Sequence, residues 1–269
     1  MKINSTYTYL LFLFGILLTF STESMAQKKL KNPQNYGGKK EYKRFFEQEL
    51  NYPQSSIDKD IGGRVLLEVE VDSMGKVLST RVKESVGRDV DSEALRIAAL
   101  LLWEPASLKG HKLAGTSQLK FKFNPYAYEG IIMERGFRVA DYPKNSPTIV
   151  WEEKELETLP EIQSRFGSFK EYVNEKLIFP EEAKAKQVDG YVEVFFVIEP
   201  NGRVSNVKLI KSLEGNCDVV ALDLIHRSRW TPGNQAGIPI RSIRREKLGF
   251  YSFNPNKALF HSGEQTPNR

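Results

Sequence analysis

The chain has 269 residues, of which 40% are hydrophobic and 27% charged, and this is the composition of a globular protein long enough for two domains. Its net charge of +5 comes from basic residues that form no long or dense block, which argues against nucleic-acid binding. The single cysteine, Cys217, excludes an intramolecular disulfide, so hydrophobic cores must hold the fold together.

The N-terminus has the pattern of a secretory signal peptide. Lys2 precedes an apolar run over residues 9–20, and small residues in the segment 24–26 stand three and one positions before a cleavage point after Ala26. As a helix the apolar run would be about 18 Å long, against about 30 Å for a bilayer core. We therefore expect residues 1–26 to be a cleaved signal peptide. The alternative is an uncleaved, short membrane anchor.

Two segments of the chain match each other without gaps at an offset of 127 residues, the separation of Pro53 and Pro180. The matched residues include glycines, prolines and two of the three tryptophans, which are types with special structural roles. The clearest pairs are Pro53/Pro180, Gly63/Gly190, Gly75/Gly202, Ser85/Ser212, Asp91/Asp218, Trp103/Trp230 and Pro105/Pro232. Such a repeat predicts a duplicated domain.

Each copy predicts the same order of elements, beginning with a helix and a strand. In the second copy Ser168 and Glu171 form a capping box at the start of the helix. The strand that follows alternates apolar and other residues with a period of two, over 65–71 and again over 192–198. In the second copy both faces of this strand are apolar. We therefore expect the other domain, the connector or a partner to cover Phe195 and Val197.

A hairpin turn, a return strand, a second helix and a last strand complete each copy. The turns end at Gly75 and Gly202, where glycine accepts a positive φ. The second helices are expected to start near Asp91 and Asp218. The last strands are expected over 119–123 and 247–253, and both copies close with Phe-Asn-Pro.

These elements predict an α+β protein with two tandem domains, each a three-stranded antiparallel sheet with two helices packed on one face. The predicted domains cover residues 38–125 and 166–255. Residues 126–165 form a partly ordered connector, because they lack the Gly/Ser enrichment of a flexible linker. Residues 256–269 form a tail that we expect to be disordered.

The ordered motifs of both copies resemble the TonB C-terminal domain family. The first copy has Tyr52-Pro53, Gly63-Arg64-Val65, Gly75-Lys76-Val77, Ala94-Leu95 and Trp103-Glu104-Pro105. The second has Phe179-Pro180, Gly190-Tyr191-Val192, Gly202-Arg203-Val204, Ala221-Leu222 and Trp230-Thr231-Pro232. The chain departs from TonB itself because it has two copies and no proline-rich spacer. The resemblance therefore implies the fold and the binding mode but not energy coupling.

The resemblance also implies where a partner binds. In the family an extended segment adds as a strand to the free edge of the last strand, and in TonB that segment belongs to an outer-membrane receptor. The corresponding residues are Gln118, Leu119, Lys120, Phe121, Lys122, Phe123, Arg244, Arg245, Lys247, Leu248 and Phe250. Positive charge at Arg241, Arg244, Arg245 and Lys247 would either protect the second edge against pairing or attract an acidic peptide.

No residue pattern indicates catalysis. His111, His226 and His261 lack metal-ligand spacing, and the acidic pair Glu152-Glu153 has the pattern of solvated charges rather than of an acid/base pair. Phosphate-binding loops and nucleophile motifs are also absent from the sequence. We therefore expect no enzyme activity, no cofactor and no metal.

The predicted function is that of a non-enzymatic, periplasmic protein-interaction module that binds extended segments of envelope or outer-membrane transport proteins by strand addition. One alternative is an assembly protein that uses its sheet edges for domain pairing or dimerisation. A second is a membrane-anchored energy transducer, if the N-terminal segment is not cleaved. Nucleic acid and small-molecule substrates are not expected as partners, and the oligomeric state stays open.

Overall fold

The fold is described from a computed structural model, over residues 30–139, 148–165 and 167–251. The predicted signal peptide and the predicted tail lie outside these residues. Among the helices within these ranges, none combines the length and the apolar character needed to cross a membrane.

The first domain contains a long helix, a central sheet and several short strands. Its elements are β1 (Leu30–Lys31), β2 (Gln34–Asn35), α1 (Gly38–Glu49), α2 (Gln54–Ile57), β3 (Gly63–Val71), β4 (Val77–Glu84), α3 (Arg88–Ala99), β5 (Trp103–Glu104), β6 (Ala106–Leu108), β7 (His111–Leu113) and β8 (Gly115–Phe123). A further helix, α4 (Pro125–Arg135), follows β8 directly. Its N-cap Asn124 accepts a hydrogen bond from the backbone N–H of Tyr126.

After a short strand and a 3₁₀ turn of the connector, the second domain repeats the order that the first domain has from β2 onward. Its elements are β9 (Val150–Trp151), a 3₁₀ turn (Glu153–Glu155), β10 (Glu161–Ile162), α5 (Phe169–Lys176), α6 (Glu181–Ala185), β11 (Asp189–Ile198), β12 (Val204–Lys211), α7 (Cys217–Arg227), β13 (Trp230–Thr231), β14 (Asn234–Gln235), β15 (Ile238–Pro239) and β16 (Arg241–Tyr251). Ser168 is the N-cap of α5 as predicted, because its Oγ accepts a hydrogen bond from the backbone N–H of Glu171 at 3.2 Å. The Glu171 carboxylate accepts from the Ser168 hydroxyl rather than from its backbone N–H, so only the serine half of the predicted capping box forms.

The two central sheets have the same strand register. In the first, β3 lies between β4 and β8, and in the second, β11 lies between β12 and β16, all antiparallel. Gly63 lies opposite Phe123 as Gly190 lies opposite Phe250. The short pairs β2–β5 and β10–β13 match in the same way. The shared register confirms the predicted two-domain α+β fold.

Both cores form between one face of the sheet and the helices. In the first domain Val65, Leu67, Val69 and Val71 pack with residues of α1 and α3, and in the second domain the alternate residues of β11 pack with α5 and α7. Trp103 and Trp230 are buried in these two cores. Both tryptophans therefore have a packing role. Burial of these apolar side chains is the main source of stability in a chain whose only cysteine is unpaired.

Each hairpin turn touches the tryptophan of its own domain. A Cβ added at Gly75 or Gly202 would collide with the backbone carbonyl of Trp103 or Trp230, and both glycines have a positive φ. The backbone N–H of Trp230 also donates to the carbonyl of Gly202 at 2.8 Å. This contact explains why the repeat retains both the glycine and the tryptophan.

Two sequence predictions need correction in the details. The last strand of the second domain begins at Arg241 rather than at residue 247 and is described as far as Tyr251. Its Leu248 and Phe250 fill the core positions that Phe121 and Phe123 fill in the first domain. Phe253 lies outside the described residues. The second helix of the first domain begins at Arg88, with Gly87 at its N-cap.

Asp91 and Asp218 instead fix the segment that leads into the second helix of each domain. Asp91 accepts hydrogen bonds from the Ser85 hydroxyl, at 2.5 Å, and from the backbone N–H of Val86, at 3.0 Å. Asp218 accepts the equivalent bonds from Ser212 and from the backbone N–H of Leu213. The repeated serine and aspartate are therefore a structural pair.

The connector is ordered where it is described, and it joins the second sheet. β9 pairs in parallel with the start of β16, with Val150 opposite Arg241 and Trp151 opposite Ser242. The second sheet therefore has four strands in the order β12-β11-β16-β9, whereas the first has three. The additional strand was not foreseen, because two residues show no periodicity.

The two domains contact each other directly. The Tyr36 ring meets Phe195 edge-on with 5.3 Å between centroids, and Phe195 is buried as a result of the packing on this face. The Lys208 ammonium lies 2.9 Å from a carboxylate oxygen of Glu104. The sequence suggested that the other domain, the connector or a partner covers the apolar outer face of β11. The first domain is one that does so.

Candidate functional site

The candidate site of the first domain is the edge of its sheet formed by β8. Within the described residues β8 pairs with β3 and with no other strand. Along the predicted segment 118–123, the side chains of β8 alternate strictly between exposed and buried. Leu119, Phe121 and Phe123 are buried in the core, whereas Gln118, Lys120 and Lys122 are exposed.

The backbone groups of Lys120 face the free side of β8. In a strand with a single neighbour, alternate residues direct their N–H and C=O toward that neighbour and the others direct them away. The buried hydroxyl of Tyr42, from α1, lies against the backbone of Lys120 without completing a hydrogen bond of normal geometry in the described part of the chain. Burial raises the pKa of Tyr42, and the Lys120 backbone acts in the opposite direction. Strand alternation then places the backbone groups of Gln118 and Lys122 on the same free side.

The equivalent edge in the second domain is partly occupied. The connector strand β9 pairs with Arg241 and Ser242, and the Arg244 guanidinium then binds Glu153 of the 3₁₀ turn at 2.7 Å. Among the predicted site residues, Leu248 and Phe250 are core residues, Arg244 and Lys247 are half-buried, and Arg245 is exposed. The first part of this edge is therefore used within the chain itself.

Arg241 does not contribute the exposed positive charge expected from the sequence. Its side chain is only 1% exposed, and it forms an ion pair with Glu199 at 2.9 Å. It also donates to the carbonyl oxygens of Thr148, at 2.9 Å, and Leu100, at 2.8 Å, which are distances typical of charge-assisted hydrogen bonds. Arg241 is buried because it joins the second sheet, the connector and the first domain at one point.

The opposite edge of the second sheet is covered by the first domain. Arg44 of α1 donates to the carbonyl of Val204 at 3.0 Å, and the backbone N–H of Val207 donates to Glu41 at 3.1 Å. The His226 ring lies 3.0 Å from the same carboxylate. Helix α1 therefore caps the edge strand β12, so the second domain is engaged along both margins of its sheet.

The side chains that make this interface were not identified from the sequence. Glu41 has the pattern of an ordinary helix charge, His226 stands alone, and Asn206 lies within a strand. In the structure Asn206 has a positive φ of 50° and bonds two backbone groups of the first domain. An asparagine inside a strand is the one available signal, since asparagine tolerates this conformation better than other residues.

Three kinds of group could carry chemistry, namely the thiol of Cys217, clusters of metal-ligating side chains, and the histidines. Burial and the neighbouring Asp218 raise the pKa of Cys217 to about 11, so its thiol is protonated at neutral pH. Over the ranges that the structure covers, no three side chains of the His, Cys, Asp or Glu type converge on a possible metal position. His226 binds Glu41, and His261 lies beyond the described residues.

The fold and its edges define a class of protein. It consists of paired α+β domains, each built on a small antiparallel sheet. A family model described as Gram-negative bacterial TonB protein C-terminal matches residues 48–125 and 175–249, which together are more than half of the chain. The chain belongs to this family, and the two matches coincide with the two repeats. No curated protein matches the chain.

Membership in this family indicates the general role of the protein. The family comprises non-enzymatic protein-interaction domains of the cell envelope, with a periplasmic role in TonB-type systems. The signal peptide and the domain boundaries at 38–125 and 166–255 stay predictions. Strands β1 and β2, which precede residue 38, pair with β6 and β5 of the first domain.

Proposed function

We propose that the protein is a periplasmic interaction module that binds an extended segment of an envelope or outer-membrane transport protein by strand addition along β8. The observation that supports this most strongly is the difference between the two domains. The β8 edge has no strand partner in the described ranges, whereas the equivalent strand β16 pairs with the chain's own connector.

Strand addition fits the chemistry of this edge. An edge strand presents a row of N–H and C=O groups that a second extended chain can satisfy, and neighbouring side chains then select the sequence. Gln118, Lys120 and Lys122 are the residues whose backbone groups would bind the added strand. Leu119, Phe121 and Phe123 hold β8 in place from the core side.

The second domain acts as a support in this proposal. Its β12 margin is capped by α1 and the start of β16 is paired with β9. We propose that Arg245, Lys247 and the residues beyond them form at most a secondary site, because the adjoining part of that edge is occupied.

The proposal is tested by a substitution that removes one N–H. Lys120→Pro deletes a donor on the free side of β8 and leaves the β3–β8 hydrogen bonds in place, which an edge strand tolerates. Lys120→Ala is the matched control, because it removes the side chain and keeps the N–H. Each variant, with its fold checked by circular dichroism and urea unfolding, is used to capture proteins from an envelope extract, which are identified by mass spectrometry.

The wild type and Lys120→Ala are expected to capture the same partner, and Lys120→Pro is expected to lose it. Retention of that partner by a folded Lys120→Pro variant would contradict strand addition at this edge. The assembly alternative predicts a different result, because Lys120→Pro would then convert a dimer to a monomer in light scattering. The transducer alternative depends on residues 1–26, and N-terminal sequencing of the exported protein decides it.

A further inference from the structure

We propose that the β8 edge selects an extended segment of a partner protein in which acidic side chains alternate with apolar ones. This inference rests on the proposed function, because it specifies what the added strand must look like. It follows from the two surfaces that an added strand would contact, from a contact within the chain itself, and from the charge of the terminal segments.

The outer surface beside the edge carries positive charge without a counter-ion. In the sheet register Lys120 lies opposite Leu66 and Lys122 lies opposite Arg64. Arg64 is already paired with Glu84 at 2.7 Å, and neither lysine has an ion pair within the described residues. Cross-strand neighbours of opposite charge stabilise a sheet, so the side chains of an added strand beside these lysines should be acidic.

The inner surface beside the edge is aromatic. The half-buried rings of Tyr42 and Phe46 lie against Phe121, each with 5.3 Å between centroids, and Phe46 also meets Phe123 at 5.5 Å. The Tyr42 hydroxyl against the Lys120 backbone places this aromatic pair at the free side of β8. The side chains of an added strand that point inward would therefore meet apolar surface, which favours valine, isoleucine or leucine there.

The chain contains a small example of the same recognition. The extended residues Val150 and Trp151 pair with β16, and Glu153, two residues further on, binds Arg244. An apolar extended segment followed by a carboxylate thus already occupies the sheet edge of the second domain. The β8 edge offers the same combination of free backbone and basic side chains over a longer stretch.

The chain's own terminal segments, which lie outside the described ranges, do not match this requirement. The residues just before Leu30 include Lys28 and Lys29, and the segment after β16 carries Lys257 and Arg269 against a single Glu264. Their charge has the same sign as that of the two lysines on β8. Charge complementarity therefore favours a separate protein as the source of the added strand.

The test compares three short acetylated peptides that alternate valine with glutamate, with glutamine or with lysine. Binding to the whole protein is measured by fluorescence anisotropy in low salt. The glutamate peptide is expected to bind roughly tenfold more tightly than the glutamine peptide, and the lysine peptide more weakly than both. The preference should fall as salt rises, because the charges are exposed.

Two double variants test whether this preference comes from the edge. Lys120→Glu with Lys122→Glu should reverse it, so that the lysine peptide binds best. Lys109→Glu with Lys112→Glu changes the same charge on exposed residues of the β6–β7 hairpin and should leave the preference intact.

The possible failures can be told apart. Equal binding of the glutamate and glutamine peptides, lost in Lys120→Pro, would overturn the acidic preference and leave strand addition standing. Unchanged peptide binding by Lys120→Pro would overturn both proposals. A wild-type dimer that Lys120→Pro dissociates in light scattering would make a second copy the occupant and would overturn the assignment to a separate partner.

Discussion

The side-chain carbonyl of Asn206, in the second domain, accepts a 2.7 Å hydrogen bond from the backbone N–H of Leu102, in the first. The amide of Asn206 donates in turn to the carbonyl of Leu100 at 3.2 Å. Asn206 is almost completely buried, and both ends of its amide are hydrogen-bonded to backbone groups of the first domain. One side chain thus joins the end of α3 to the outer strand of the second sheet.

Asn206→Ala should destabilise the protein by about 2–4 kcal/mol, because it leaves the backbone N–H of Leu102 without its hydrogen-bond acceptor and places alanine at a positive φ. Ser79→Ala is the matched control at the equivalent repeat position, where the hydroxyl binds only Glu70. It should cost less than about 1 kcal/mol. Urea unfolding measures both values. Equal losses in the two variants would contradict the assigned role of Asn206.

Gly202→Ala should be strongly destabilising, because the added methyl group would collide with the carbonyl of Trp230 as well as strain the backbone. Gly237→Ala separates these two effects, since Gly237 has the same φ of 75° and no atom within 4 Å of a Cβ. We expect about 1–2 kcal/mol for Gly237→Ala and clearly more, about 3 kcal/mol or above, for Gly202→Ala. Thermal unfolding would show the difference, and similar melting temperatures would exclude the steric effect.

The sequence predicts those features whose cause lies within one repeat. The strand alternation over 65–71, the glycine at each turn and the N-cap at Ser168 are local patterns, and each corresponds to one structural requirement. The tryptophan after the second helix is predictable for the same reason. These residues recur in both copies because both cores impose the same packing.

The sequence does not predict what depends on contacts between the copies. Asn206 and Ser79 occupy the same repeat position, yet only Asn206 meets a neighbouring domain. Arg241 has the sequence pattern of an edge charge and becomes a buried ion pair only because the connector and the first domain close over it. Strand pairings of only two residues, such as β9 with β16, produce no periodic pattern in the sequence. The pairing of the connector with the start of the second edge strand was therefore not predicted.

Glu41 should make stability fall in acid. Burial alone would raise its pKa, but hydrogen bonds from His226 and Arg44 lower it to about 2, against an ordinary value of 4.5. A lowered carboxyl pKa adds stability that is present above the unfolded-state value and is lost as pH falls through the folded-state value. The carboxylate should therefore contribute about 3 kcal/mol at neutral pH, lost between about pH 5 and pH 2.

Glu41→Gln should remove most of that contribution and flatten the acid limb of the stability curve, as measured by urea unfolding across the pH range. Glu47→Gln is the control on the same helix, because Glu47 makes only an exposed pair with Lys43. It should leave both the stability and its pH dependence nearly unchanged. An acid limb that persists in Glu41→Gln would show that another carboxylate is responsible.

Glu49, at the other end of α1, should make stability fall as pH rises, which is the opposite of the effect of Glu41. Burial and the neighbouring Glu199 raise its pKa to about 7, although Arg96 and Arg241 also face it and act in the other direction. A carboxyl group with a raised pKa holds its proton in the folded state, so stability decreases as pH rises from the unfolded-state value of about 4.5 to about 7 and then levels off. Glu49→Gln keeps a neutral side chain of the same shape at every pH. It should match the wild type near pH 4 and exceed it by about 3 kcal/mol at pH 8. Urea unfolding at the two pH values measures this gain, and a variant that is less stable than the wild type at pH 8 would mean that Glu49 is ionised and held by Arg96 and Arg241.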